Sequence, residues 1–232
     1  MKKTLIVLLA LCAFALSAVS VSAQTIVQQF AALSSGGAVS DMDLEPTTEG
    51  STIIAMPLPL TPGLKVLSVT DNAPAGGNTY KQVPGSAATC EGKSLDIWYC
   101  EKCNAGVTEL KFHLSDRSKG VINAFIEVAG LASSSVLDGE GANVTDGNRS
   151  KEGAEVGPTI KTTAKDFIVA RYFSAPPPAL AVTPAEWSLM PSYAFVLSGA
   201  PGTYQPTITG GGTEGKYCMS VAAFKAAAPA AK

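Results

Sequence analysis

Residues 94–115, SLDIWYCEKCNAGVTELKFHLS, hold Cys100 and Cys103 two residues apart, one of the two tryptophans and the sole histidine, His113. Cysteines at that spacing can exchange disulfides, bind a metal or form a bridge. A thioredoxin-like centre sets the pair at a helix N-terminus, whose field stabilises a thiolate. Here the pair ends a run of strand formers, and no βαβ pattern surrounds it. Covalent haem calls for histidine directly after the second cysteine, where Asn104 stands. Zinc on Cys90, Cys100, Cys103 and Cys218 would need four thiolates in a tetrahedron; one close pair with two distant single cysteines is a weak pattern for it. A catalytic triad would need His113 as its base. No G-x-S-x-G accompanies it, and its place beside Lys111 on the polar side of an alternating segment suits a solvated surface histidine.

The first residues bear on the redox compartment. Lys2 and Lys3 precede an apolar run from Thr4 to Ala18, and Val21-Ser22-Ala23 puts small residues before Gln24. This is the layout of a bacterial secretory signal peptide. Residues 1–23 are therefore expected to be a leader, and the rest to be secreted, periplasmic or extracellular. The run approaches the roughly 18–20 residues of an uncleaved anchor, but its small-residue exit argues for cleavage. Lipidation at Cys12 would want a small residue where Leu11 stands. Four cysteines remain, an even count in an oxidising compartment, so two disulfides are expected. Cys100–Cys103 with Cys90–Cys218 is preferred, with Cys90–Cys100 and Cys103–Cys218 close behind. Cys90–Cys103 fits least, because an extended 95–100 segment would hold its ends roughly 17–20 Å apart.

Removing the leader takes away two lysines and no acid, so the formal charge of −2 becomes −4 over the remaining 209 residues. A mildly acidic chain with no basic stripe argues against nucleic acid as a partner. No second apolar run of spanning length follows, so no membrane span is expected after leader removal. Among the acids, Asp41 and Asp43 share a strand face, and Asp138, Glu140 and Asp146 crowd one polar loop. Oxygen-rich loops can hold Ca²⁺, which makes those three a candidate site, although their spacing is not an EF-hand. No other cofactor is indicated. A glycosidase would need two carboxylates facing across a cleft. Trp187, Tyr193 and Tyr204 are candidates for a sugar-binding platform; Trp187, in a proline-flanked loop, is the one expected to be exposed. Trp98 and Tyr99 are expected to pack on opposite faces of one strand.

The elements that must position these residues read as strands. Short apolar runs bounded by Gly, Pro, Asn and Asp, with no sustained helical period, predict an all-β, antiparallel sandwich. About ten strands are expected, near 25–31, 38–44, 51–58, 65–71, 94–101, 107–114, 121–129, 166–174, 192–198 and 217–225. Thr52 to Leu58 and Phe167 to Phe173 are nearly continuous apolar runs, which suit strands covered on both faces. Residues 107–114 alternate, with Leu110, Phe112 and Leu114 on one face and Lys111 and His113 on the other. Stretches 72–93, 131–165 and 175–191 read as loops, and prolines keep the last from being a central strand. A single domain over 24–226 and an Ala/Pro tail over 227–232 complete the layout. On this reading 94–115 is a hairpin.

TIVQQF, GSTIIAMPL, LSVTDNAPAGGNTY, LDIWYCEKCNAGVTELKFHL, FIEVAGLASSSVLDGEGAN, KDFIVARYF and MSVAAFK occur in this order. The series resembles a group of exported bacterial β-sandwich domains with a VTD…GNTY turn, an IWYA strand and a terminal AAFK-like strand. The order of short pieces carries the match across most of 24–226. It implies a jelly-roll-like sandwich and no particular activity. The chain departs from the pattern with Cys100 where a small residue is usual, and with Cys90, Cys103 and Cys218. The leading functional expectation is a secreted, non-catalytic sandwich that binds a glycan or another surface protein, or serves as a surface component. A lectin-like carbohydrate module and a secreted hydrolase with paired carboxylates are the alternatives. Open sheet edges leave self-association open.

Overall fold

The computed structural model describes residues 24–174, 181–210 and 215–228. The expected leader, and residues 229–232 of the expected tail, lie outside them. All the regular structure described is strand, and no described helix is long and apolar enough to cross a membrane. In chain order the strands are β1 (Thr25–Ser35), β2 (Val39–Asp43), β3 (Thr52–Ala55), β4 (Leu58–Pro59), β5 (Val66–Asp71), β6 (Lys81–Gln82) and β7 (Ala88–Cys90). Next come β8 (Lys93–Leu95), β9 (Trp98–Cys100), β10 (Glu109–Leu114), β11 (Gly120–Ala129), β12 (Ala142–Asn148), β13 (Ala154–Val156) and β14 (Ile160–Thr162). The last are β15 (Asp166–Ser174), β16 (Ala181–Thr183), β17 (Ser188–Leu189), β18 (Tyr193–Gly199), β19 (Gly202–Tyr204), β20 (Thr207–Thr209) and β21 (Lys216–Lys225).

The chain is an all-β, antiparallel sandwich, with twenty-one strands among the described residues rather than about ten. Each expected strand has a counterpart. The additional strands are mostly short and include three, β12 to β14, inside the stretch read as a polar loop. A central sheet runs β1-β11-β3-β9-β6, with β4 also on β11. A front sheet, β2-β10-β5, covers one of its faces, and a back sheet, β12-β21-β15-β18-β17, covers the other. Outside the back sheet lie β13-β20-β16 and the pair β14-β19.

Side-chain alternation builds these layers. In β3, Ile53 and Ala55 face the front and Ile54 the back. In β15, Phe167 and Val169 face the central sheet, while Ile168, Ala170 and Tyr172 face outward into a further apolar layer. Both apolar runs are thus covered on both faces, as their composition requires. Trp98 packs in the front core and Tyr99 in the back core, 5.6 Å from Phe224 in an edge-to-face contact. In β10 the buried face is Leu110, Phe112 and Leu114.

Residues 94–115 are not a hairpin. β9 pairs with β3 and β6 in the central sheet, whereas β10 pairs with β2 and β5 in the front sheet. The segment between them turns a corner of the sandwich. Its backbone is taken by other partners: Cys103 N–H donates to Ser51 O at 2.8 Å, Gly50 N–H to Cys103 O at 2.8 Å and Asn104 N–H to Asn78 Oδ1 at 2.8 Å. Gly106 turns the chain at φ +78°, a conformation that glycine adopts without strain. The VTD…GNTY turn braces the same corner. Asp71 Oδ1 accepts the N–H groups of Ala73 and Asn78, and Oδ2 accepts Asn78 Nδ2 at 2.7 Å and the Tyr80 hydroxyl at 2.8 Å.

Candidate functional site

The structure sorts the residues that the sequence singled out. Cys100 and Cys103 form a disulfide at the corner. Cys90 and Cys218 are free and buried, so the second expected bridge is not formed. Their thiols nonetheless meet. The hydrogen bond with Cys90, followed by burial, pushes the Cys218 thiol far above its usual range. Both pack beside Leu58 and Leu95 in an apolar pocket. His113 is a half-exposed partner of Thr70 Oγ1 at 2.9 Å.

Asp138, Glu140 and Asp146 do not converge, and among the described residues no three His, Cys, Asp or Glu side chains do so. Asp138 is buried and accepts the N–H and hydroxyl of Thr163. Asp146 is exposed, with Oδ1 turned onto the Glu91 N–H at 2.7 Å, and Glu140 points to solvent. Asp138 and Asp146 both lie against β21, the first at Ala223 and the second between Met219 and Tyr217, so the strand holds them apart. The calcium candidate is corrected accordingly.

The aromatic platform is likewise not formed. Trp187 is only 5 % exposed, because its loop folds back and inserts the indole against the outer face of the back sheet with Ile168 and Val196. Tyr193 is fully buried on the opposite face, donating its hydroxyl to Gln29 Oε1 at 3.0 Å. Tyr204 is half-buried and donates to Ala200 O at 2.6 Å.

A carboxyl pair does exist, though the sequence reading did not join its members. Asp166 is fully buried against Asp138. Burial, then the hydrogen bond and charge of Asp138, push Asp166 up to about 8. At Asp138 burial opposes ionisation, but the Thr163 donors, Asp166 and Lys225 outweigh it and hold its carboxyl below the ordinary range. One proton shared by two close carboxyls accounts for the split. Neither acid opens into a cleft; the pair fastens β15 to the segment before β12.

An apolar cleft lies elsewhere, at one edge of the seam between central and back sheets. It has a volume of about 440 Å³. β1 contributes Ala31, Ala32 and Leu33; Leu58, Leu60 and Ile122 come from the neighbouring end of the central sheet. β15 contributes Arg171 to Ser174, and Pro191 and Ser192 close the remaining side. Leu33, 68 % exposed, stands at the mouth, and Phe30 lies exposed on the same strand.

Arg171 is the unusual member. Its side chain is fully buried, on the face of β15 that meets the central sheet. Nη1 donates to Ser192 O at 2.6 Å and Nη2 to Ile122 O at 3.0 Å, while Nε meets no acceptor. The Oγ of Ser192 is also buried without a partner. Among the described residues no carboxylate pairs with this guanidinium. Burial lowers Arg171 to about 10, partly offset by Tyr172, Cys218 and Tyr193, so it stays charged at neutral pH. A buried cation without a counter-charge is costly. The sequence reading missed Arg171, although it sits inside FIVARYF, a run read as covered on both faces. A charged residue in such a strand must be buried, and that was the available signal.

No family model, curated protein or solved structure matches the chain.

Proposed function

We propose that the protein is an exported, non-catalytic β-sandwich that works by binding, and that its binding site is the cleft between the central and back sheets. Export rests on the leader-like residues 1–23 and on the resemblance to exported bacterial sandwich domains. The observation that carries the binding reading is the cleft itself. At about 440 Å³ it falls within the roughly 300–1,000 Å³ usual for small-molecule sites, and its walls are mainly aliphatic. The lining residues include one cation and no carboxylate or histidine, which suits retention of a ligand more than acid–base chemistry. The burial of Trp187 and Tyr193 weighs against a sugar platform at those residues.

Fluorescence titration of residues 24–232 with the neutral apolar dye N-phenyl-1-naphthylamine tests the reading. Saturable binding is expected, weakened at least tenfold by Ala31→Trp, which fills the cleft, in a variant whose thermal transition is retained. Dye binding that neither saturates nor responds to the substitution would overturn it.

A further inference from the structure

We infer that the cleft takes an aliphatic carboxylate, with the carboxylate on Arg171 and Ser192 and the chain along the apolar walls. The inference rests on the proposed binding role of the cleft and names the chemistry of its ligand.

Three observations converge on it. First, Arg171 lines the cleft as a fully buried cation, and its Nε has no acceptor. The two acceptors it does have are main-chain carbonyls, which hold the guanidinium in place without neutralising it. Each Nη keeps a second proton, so once the wall shifts to admit a head group, Nε with an Nη forms the planar fork that carboxylates accept in bidentate fashion. Second, the hydroxyl of Ser192, on the adjoining wall, is buried and unpartnered. A donor beside the fork can complete a carboxylate's hydrogen bonds. Third, the remaining walls are Leu58, Leu60, Ile122, Phe173 and Ala31, with Leu33 at the mouth. The other polar residues on the lining, Tyr172 and Ser174, have partners of their own in Met190 O and Glu155, so these walls offer mainly apolar contact, which fits a hydrocarbon chain leaving a single charged end.

Charge complementarity sets the sign and number. One unpaired cation selects one negative charge, and an ammonium head group would be repelled. The same arrangement explains how the buried charge is compensated. The ligand supplies the counter-ion that the chain does not, so binding gains from an ion pair in a site of low polarity.

The test is calorimetric titration of residues 24–232 with decanoate, decanol and decylammonium, chosen to share one chain. Decanoate is expected to bind at least tenfold tighter than decanol, with decylammonium weakest. In Arg171→Met the preference for acid over alcohol should fall to within about threefold while decanol still binds, because the hydrocarbon walls are unchanged. Ser192→Ala should weaken decanoate several-fold and leave decanol unaffected. Equal binding of acid and alcohol by the unmodified chain would overturn the carboxylate assignment and leave the binding cleft standing; binding of neither would remove both. A short acetylated peptide ending in leucine, run alongside, separates two sources of an apolar carboxylate. Tighter binding of that peptide than of decanoate would overturn the assignment to an aliphatic acid. The wild-type comparison needs no variant, so misfolding of Arg171→Met would not shelter the proposal.

Discussion

The two faces of the central sheet each bury a charged residue completely, Glu127 toward the front and Arg171 across the seam toward the back. Glu127 is answered from within the chain: Oε2 accepts Gln28 Nε2 at 2.8 Å and Oε1 the Thr48 N–H at 2.7 Å. Arg171 is answered only by carbonyls and keeps a bare Nε. The cysteines divide in the same way. The front corner carries the closed Cys100–Cys103 bridge, and the back seam carries the free thiols Cys90 and Cys218. At the front the buried charge is satisfied and, among the described residues, only neutral atoms, Trp98 Nε1 and Asn123 Oδ1, stay unpaired, while the back seam leaves a charged group open beside a cleft. Buried charges are normally paired, so the seam where one is not is where a charged partner belongs.

Substitutions should separate the two sides. The largest effect is expected at the front. Glu127→Ala strands the Thr48 N–H, takes one of two acceptors from Gln28 Nε2 and leaves a cavity, and should cost about 3 kcal/mol in a urea unfolding curve at neutral pH. A change below about 1 kcal/mol would mean that the front is no better satisfied than the back. Next is the corner bridge. It closes a very short loop, so the chain-entropy argument gives it about 2 kcal/mol. A Cys100→Ser, Cys103→Ser double variant should lower stability by that amount and leave dye binding in the cleft unchanged.

The third expectation concerns the carboxyl pair at the end of the back sheet. Asp166 is held near 8 when folded against an ordinary 3.8. Between those values the folded chain keeps a proton that the unfolded chain has lost, so stability falls as pH rises from about 4 to about 8. Asp96, raised to about 6 by burial against the opposing pull of Gln82 and Lys65, adds a slope of the same sign between about 4 and 6. Asp166→Asn cannot ionise. Between pH 6 and pH 8.5 the parent should lose at least about 2–4 °C in thermal midpoint, the shift that corresponds to about 1 kcal/mol at this size. The variant should lose little. Parallel pH profiles for the two chains would show that Asp166 is not the titrating group.

Much of this architecture is legible in the chain. Ile53 and Ile54, or Phe167 and Ile168, sit side by side in apolar runs, and only a strand covered on both faces can bury both neighbours. The alternation of Leu110, Phe112 and Leu114 with Lys111 and His113 places a half-covered strand equally well. What sequence could not give was partnership. WYC and ELKFHL look like the arms of a hairpin because they are adjacent and both strand-like, yet Asn72, Asn78 and Ser51 capture the connector and send the second arm to another sheet. β12 escaped notice because ANVTDGN is rich in poor strand formers; pairing with β21 overrides that preference. Trp187 looked exposed because prolines flank it, but flanking residues say nothing of what a loop folds back upon. The site was hidden differently. Arg171 carries no motif, and its importance comes only from what does not surround it.

That last point makes the smallest expected effect the most informative. Removing a buried charge usually destabilises when the partner left behind is charged or strongly polar. Arg171 leaves no such partner. Ser192 O also accepts the Tyr172 N–H, so one of its two acceptors stays satisfied when the guanidinium goes. A side chain of similar length and no charge relieves a desolvation cost and fills the same space among Leu58, Ile122 and Phe173. Arg171→Met should therefore shift unfolding by less than about 1 kcal/mol in either direction, although Arg171 is among the largest fully buried side chains described. Glu127→Ala supplies the contrast at equal burial. If Arg171→Met instead destabilised as strongly as the front-side change, the guanidinium would be a structural brace, and its unpartnered Nε would no longer mark a place kept for an anion. If the two differ as expected, the chain retains a buried cation that its own stability does not require, and the reason for retaining it must be something the cleft holds.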